Sequence, residues 1–290
     1  MDLLQETKFI MNKFKIHANK NLGQNFLIDE EIVHGIIEHA QISEQDLVIE
    51  IGPGLGTLTQ RLLESAGKVI AIELDKNVLT ILNDRFRTYN NFELINQDIL
   101  KTDLKSIINS NLNSSIKSCK IVANLPYYIT TPIIMKLFEE NLSIDSITVM
   151  VQKEVAQRLT AIPGQDKSVG AISYSIYYYS DAEIVLDVPK RCFIPSPDVD
   201  SSVIHLKLLK RPRVSTIDED FLFNIIKLVF TQKRKTLSNS LVNTKICLSK
   251  QQSELILDEL GINKNARPEE LGLQDFSNLA EKLIKEKNSL

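Results

Sequence analysis

A chain of 290 residues, 43% hydrophobic and 24% charged, has room for one large α/β domain with a smaller appendage, and its composition excludes a disordered chain or a small disulfide-stapled scaffold. No apolar run reaches membrane-span length, and residues 1–20 hold four lysines with Asp2 and Glu6 but no arginine, so neither an anchor, a secretory leader nor an organelle presequence is expected. The net charge of −3 divides unevenly: 20 basic residues face 26 acidic ones up to Leu209, and 14 face 11 beyond it, which makes the C-terminal part the more basic.

From residue 47 onward short β-branched runs alternate with amphipathic stretches, the pattern of βαβ units and a parallel sheet. The runs predict strands at 47–51, 68–73, 92–95, 120–123 and 146–151, and helical spacing of apolar residues predicts helices at 58–65, 77–86, 132–140 and 154–162. Residues 109–118, rich in Asn and Ser, read as a surface loop. After Gly170 the alternation stops, and the runs 172–180, 182–188 and 201–209 predict antiparallel strands that close the sheet. Lys210-Arg211-Pro212-Arg213 reads as a linker, followed by helices at 221–229, 251–260 and 276–285. The expected division is an α/β domain over residues 1–209 and a small helical domain over 210–290. Cys119, Cys192 and Cys247 lie far apart with no CxxC pair, and His17, His34, His39 and His205 form no HExxH, so reduced thiols, no metal site and a soluble, cytoplasmic chain are expected.

Glu50-Ile51-Gly52-Pro53-Gly54-Leu55-Gly56 joins the first of these strands to the helix after it, where an α/β sheet brings backbone close to a nucleotide-like ligand. The spacing is GxGxG without the third glycine of the dinucleotide GxGxxG, and Pro53 restricts the turn, which disfavours NAD. Taken alone, the segment serves equally as a tight strand-to-helix connection. Glu73 ends the next strand, where a carboxylate accepts both hydroxyl hydrogens of a ribose, and Asp98 follows the third, placed to accept from an adenine amine. Each carboxylate alone reads as a solvated strand end or a helix cap. Three successive strand ends with such groups point to an adenosine cofactor that needs no phosphate clamp, S-adenosylmethionine.

Asn124-Leu125-Pro126-Tyr127 follows the fourth of these strands and belongs at the same sheet edge. An adenine amine is a poor nucleophile because its lone pair is delocalised into the ring. The Asn124 side-chain oxygen and the Leu125 backbone carbonyl can accept its two hydrogens and favour a pyramidal nitrogen, while Pro126 constrains the turn and Tyr127 offers an aromatic face. No strong base is needed, because the proton becomes acidic only as charge develops on nitrogen. The plainer alternative is a proline turn before the helix start at Thr130-Thr131-Pro132, with Tyr127 in the core.

Further segments accompany these: Asn21-Leu22-Gly23-Gln24-Asn25-Phe26-Leu27, Gln152-Lys153-Glu154-Val155-Ala156-Gln157-Arg158, Phe193-Ile194-Pro195-Ser196-Pro197-Asp198-Val199-Asp200-Ser201 and Phe230-Thr231-Gln232-Lys233-Arg234-Lys235-Thr236-Leu237. In this order, over nearly the whole chain, the set closely resembles the ribosomal RNA adenine N6,N6-dimethyltransferase family, and specifically its members acting on the small ribosomal subunit. The resemblance implies a Rossmann-like S-adenosylmethionine-dependent methyltransferase sheet with a small C-terminal helical domain. It implies that Asn25, Leu27, Gly52, Glu73, Asp98 and Asn124 contact the methyl donor, with Gly54 beside them in the loop, and that Tyr127 and Phe193 sandwich the target adenine.

The substrate so implied is a pair of adjacent adenosines in the 3′-terminal hairpin loop of 16S ribosomal RNA, within the small subunit or its precursor, each dimethylated by a monomeric enzyme. Lys207, Lys210, Arg211, Arg213, Lys233, Arg234 and Lys235 are the candidates for RNA phosphate contacts. The chain departs from the family pattern at Tyr128, where Asn is common, at Val169-Gly170-Ala171, where YGR is common, and at Lys233-Arg234, where two arginines are common. The alternatives are the related large-subunit RNA methyltransferases of the resistance type, and an assembly factor whose binding outweighs its chemistry. The 193–201 segment and a helix expected at 233–237 favour the small-subunit reading.

Overall fold

The computed structural model describes residues 2–19, 22–140 and 142–288; Lys20 of the N-terminal lysine set and Asn21 of the first motif lie outside them. Two compact units are formed, one from Met1–Ala156 with Ala182–Leu208 and one from Gln157–Asp181 with Leu209–Leu290.

The first unit begins with α1 (Leu3–Phe14), short strand β1 (Phe26–Leu27) and α2 (Glu30–Ala40). Strands and helices then alternate: β2 (Asp46–Ile51), α3 (Thr57–Ser65), β3 (Lys68–Glu73), α4 (Lys76–Phe86), β4 (Phe92–Asn96), α5 (Leu104–Asn111), β5 (Ser118–Asn124), α6 (Thr130–Glu139), β6 (Ser146–Gln152) and α7 (Lys153–Leu159). After α8 (Ala171–Tyr179) come β7 (Ser180–Val188), β8 (Phe193–Ile194) and β9 (Ser201–Leu208). Seven strands pair in the order β4-β3-β2-β5-β6-β9-β7; β2 through β6 are parallel, and β9 runs antiparallel to β6. This is a Rossmann-like, mostly parallel sheet.

Every residue of β2 is buried, as in a parallel sheet covered on both faces, which is why its sequence is a continuous apolar run broken only by the flanking Asp46 and by Glu50. Chain progression reverses between β2 and β5, and the carboxyl ends of β2, β3, β4 and β5 meet there at one edge, the place where open α/β sheets bind ligands. Side-chain caps set the helix starts: Asp29 accepts from the Glu31 and Ile32 N–H groups, and Asp75 from the Asn77 N–H.

The second unit packs α8, α9 (Glu219–Phe230), α10 (Leu237–Asn243), α11 (Lys250–Glu259) and α12 (Leu273–Asn288) around Tyr174 and Phe276, both fully buried. The run 172–180, expected as a strand, is helix α8. Its alternating Ile and Tyr residues mimic a period of two, yet Ser173, Tyr174, Ser175 and Ile176 are buried in succession, so the helix is enclosed on several sides. Residues 157–181 thereby join the C-terminal helices, whereas the sequence division placed them with the sheet. Arg213 is more than linker: its Nε donates to Tyr177 O at 2.8 Å, its Nη2 meets Asp181 Oδ1 at 2.6 Å, and its guanidinium lies over the Tyr177 ring. Of the stretch 233–237 expected as a helix, residues 233–236 form a turn and only Leu237 is helical, as the first residue of α10.

Candidate active site

The β2–α3 turn needs glycine for two different reasons. Gly52 has φ +69° with open space where a Cβ would stand, so the requirement there is backbone conformation. Gly56, at the start of α3, would drive a Cβ to 2.5 Å from the Phe86 ring. The turn is held by Gly52 N–H donating to Ile72 O at 3.0 Å and Gly56 N–H to Pro53 O at 2.9 Å.

Glu73, 7% exposed at the end of β3, accepts from the Asp75 N–H at 2.7 Å and the Gly54 N–H at 3.4 Å. Burial pushes its carboxyl above the usual carboxylate range, and the backbone donors oppose that rise. Asn96 Nδ2 donates to Glu73 O at 2.7 Å, tying the ends of β3 and β4 together. Asp98 lines the same cavity while its Oδ1 accepts from the Leu100 N–H at 3.0 Å, so it caps the following turn and stands at the cavity wall at once.

From the other side, Asn124 Nδ2 donates to Asn25 O at 3.1 Å. A backbone carbonyl can only accept, so this bond fixes which end of the amide is the nitrogen and leaves Oδ1 on the opposite side as an acceptor. Asn25 Nδ2 donates in turn to Gly23 O, and Gln24 Nε2 to Asp75 Oδ2 at 2.9 Å, pinning the N-terminal segment across the sheet edge. Leu125 N–H donates to Met150 O, and Pro126 O accepts from Thr130 Oγ1, which sets the turn. The Tyr127 hydroxyl bonds Ser201 Oγ at 2.7 Å, anchoring a half-buried ring that lines the cavity. Tyr128, 55% exposed, stands at the same cavity against Gly23.

One cavity therefore gathers Asn25, Leu27, Gly52, Gly54, Glu73, Asp98 and the whole Asn124–Tyr127 turn. Phe193 is not with them. It pairs with Leu27 in the β1–β8 ladder, is 3% exposed, and belongs to the hydrophobic core cluster rather than to the residues that line the cavity. Two groups were not foreseen: Gln24, whose bond to Asp75 locks the loop, and Glu50, 2% exposed and lining the cavity.

Of the basic candidates, Lys207, Lys210 and Arg211 are exposed. Lys233, Arg234 and Lys235 border a shallow hollow with Phe230, and Lys233 Nζ also donates to Val169 O at 3.2 Å.

The profile of the ribosomal RNA adenine dimethylase family matches residues 15–285. The chain belongs to this family. Within the family, it is 47% identical over 285 residues to the ribosomal RNA small subunit methyltransferase A of Lachnoclostridium phytofermentans, a match covering 98% of this chain and 97% of that one. The namesake from Clostridioides difficile is 46% identical over 274 residues, covering 94% and 93%. Among solved structures, a dimethyladenosine transferase from Plasmodium falciparum superposes with a TM-score of 0.72 at 28% identity, covering 91% of this chain and 98% of that one. The 23S rRNA methyltransferase ErmE gives 0.68 at 25% identity, covering 90% and 100%.

The methyl donor of this dimethylase family member is S-adenosylmethionine, and the donor set fits it. Among the described residues the cavity is lined by the carboxyl groups of Glu50, Glu73 and Asp98 and by no lysine, arginine or histidine. Such a lining suits a ligand with a ribose, a base and positive charge, and provides no cationic side chain for a pyrophosphate.

Proposed function

We propose that the chain dimethylates N6 of two adjacent adenosines in the 3′-terminal hairpin loop of 16S ribosomal RNA, in the small subunit or its precursor, as a cytoplasmic monomer. In this reading Asn25, Leu27, Gly52, Gly54, Glu73, Asp98 and Asn124 hold the donor, with Glu73 accepting from the ribose and Asp98 from the adenine amine. The observation that carries it is the Asn124 amide, turned by Asn25 O so that its oxygen is left as an acceptor beside the Tyr127 ring. Bound S-adenosylmethionine supplies an electrophilic methyl group. Asn124 Oδ1 and the Leu125 carbonyl accept the two hydrogens of the target amine and favour a pyramidal nitrogen, and Tyr127 supports the face of the base. Tyr127 is itself no base, since burial raises its phenol further above the usual range.

The sheet unit is assigned the chemistry, and the helical unit, with Lys210, Arg211, Lys233, Arg234 and Lys235, the RNA or ribosome contact; Lys207 and Arg213 are secondary candidates. The relatives named for the small subunit match over nearly their full length at 46–47% identity, which favours this substrate over the large-subunit one. The test incubates purified protein and methyl-labelled donor with small subunits lacking adenine dimethylation and, in parallel, with large subunits, followed by mass spectrometry of the nucleosides. Dimethyladenosine from the small subunit alone is the expected result; the same product from the large subunit alone overturns the assignment, and stable binding without product moves the protein to the assembly-factor class.

A further inference from the structure

Tyr127 and Tyr128 are successive residues of the 3₁₀ turn Tyr127–Ile129, and both line the cavity. Three residues complete a turn of such a helix, so successive side chains leave it about 120° apart and do not face each other across one base. Their contacts diverge accordingly. The Tyr127 hydroxyl is tied to Ser201 on β9, whereas the Tyr128 ring lies against the N-terminal segment, its Cδ1 and Cε1 at 3.4 and 3.6 Å from where a Cβ on Gly23 would stand. Held along that edge, Tyr128 is still 55% exposed. Among the described residues that line the cavity, the other large apolar side chain so exposed is Leu74, at 49%, and it follows Glu73 on the donor side.

A target base reaches the cavity by leaving the RNA stack, and in a pair of adjacent adenosines its departure strips the neighbouring base of a stacking partner. The cavity wall has no cationic side chain among the described residues, so an aromatic face is what it can offer that neighbour. We propose that Tyr128 is a further substrate-positioning residue, on which the second adenosine of the pair stacks while the first lies at Tyr127. The inference rests on the reading of the chain as a dimethylase of adjacent adenosines. A ring reads the area of a base and not its hydrogen-bonding edge, so this contact favours a purine beside the target over a pyrimidine. A ring fixed to one side of Tyr127 meets the neighbour on one side of the target, 5′ or 3′. Its loss therefore slows one of the two positions more than the other.

The experiment is a coupling cycle on small subunits lacking adenine dimethylation, prepared with both adenosines or with one or the other replaced by uridine. Methyl transfer by the full-length protein and by Tyr128→Ala is measured as kcat/KM at each position, located by mass spectrometry of RNA fragments. At one position Tyr128→Ala is expected to lower kcat/KM by about tenfold. At that position a uridine neighbour should slow the wild-type protein, while Tyr128→Ala should no longer distinguish uridine from adenosine; the cycle cancels any effect of the replacement on the hairpin itself. Tyr128→Phe, which keeps the ring, should restore the rate, and the Kd of Tyr128→Ala for S-adenosylmethionine, read by calorimetry, should match that of the wild type. Unchanged rates in Tyr128→Ala, or equal sensitivity to the uridine neighbour in both proteins, overturn the inference and leave the proposed reaction standing. A donor Kd weakened in step with the rate also overturns it, and assigns the ring to holding Gly23 and the N-terminal segment in place. Absence of dimethyladenosine with wild-type protein on intact small subunits removes the reading and the inference together.

Discussion

Asn124 combines two jobs in one amide, since its nitrogen secures the N-terminal segment and its oxygen is presented to the cavity. Asn124→Ala removes a positioning acceptor and little core volume, so methyl transfer should fall by about 10²-fold or more while the fold persists. Single-turnover methylation with a thermal melt on the same sample checks both halves of that expectation. Tyr127→Phe keeps the ring and deletes only the bond to Ser201, at a cost of about 1 kcal/mol, whereas Tyr127→Ala also removes the aromatic face. Activity near wild type in Tyr127→Phe but strongly reduced in Tyr127→Ala, measured at equal fraction folded, would assign the function to the ring. Asn124, Glu73 and Asp98 were legible in the sequence because each follows a recognisable strand, and a parallel sheet brings all such ends to one edge. The burial of Phe193 was not legible, because its sequence context carries no information on exposure and its partner Leu27 lies 166 positions away. Glu50 heads the glycine turn in the sequence, but its burial was not legible there, because a single acidic residue near the end of a strand gives no sign that both faces of that strand are covered.

At the level of elements, the five parallel strands were readable to within a residue or two from their β-branched runs. Helices α1, α2, α5 and α10 were not read, and α8 was taken for a strand. α8 is apolar on nearly all sides because Tyr174 packs edge-to-face on both Phe230 and Phe276 while Tyr178 lies one turn on, so no polar stripe revealed its period. Tyr174 explains the helix better than its pattern does: its hydroxyl, fully buried, donates toward Pro268 O at 3.1 Å and Leu271 O at 2.7 Å. Tyr174→Phe leaves those carbonyls without that donor and should lower stability by about 1–3 kcal/mol, read as a shift in the denaturant midpoint at unchanged slope. A loss confined to the helical unit would appear as two transitions instead of one.

For the whole molecule, acidic groups buried in a ligand cavity link stability to pH. Glu50 holds its proton up to about 8 in the folded chain against an ordinary value of 4.5, so between those values the folded state binds more protons than the unfolded one. The stabilising difference is fully present below the ordinary value and is lost as pH rises through 8. Glu73 acts in the same direction. The ligand-free protein should therefore melt progressively lower as the pH is taken from about 5 to about 8, and Glu50→Gln should have a shallower decline and the higher melting temperature at the alkaline end. A melting temperature equally insensitive to pH in both proteins would contradict this.

The β1–β8 ladder pairs Phe26 with Ile194 and Leu27 with Phe193, and Tyr127 leans on Ser201. During synthesis the glycine turn, Glu73, Asp98 and Asn124 all leave the ribosome well before the segment that braces the wall opposite them. A nascent chain halted at Ala156 owns every group assigned to the donor, yet it lacks both β8 and the antiparallel partner of β6, and closing those contacts demands a long loop. The sheet that carries this cavity is thus completed only late in translation, after the first piece of the helical unit, residues 157–181, has already been made.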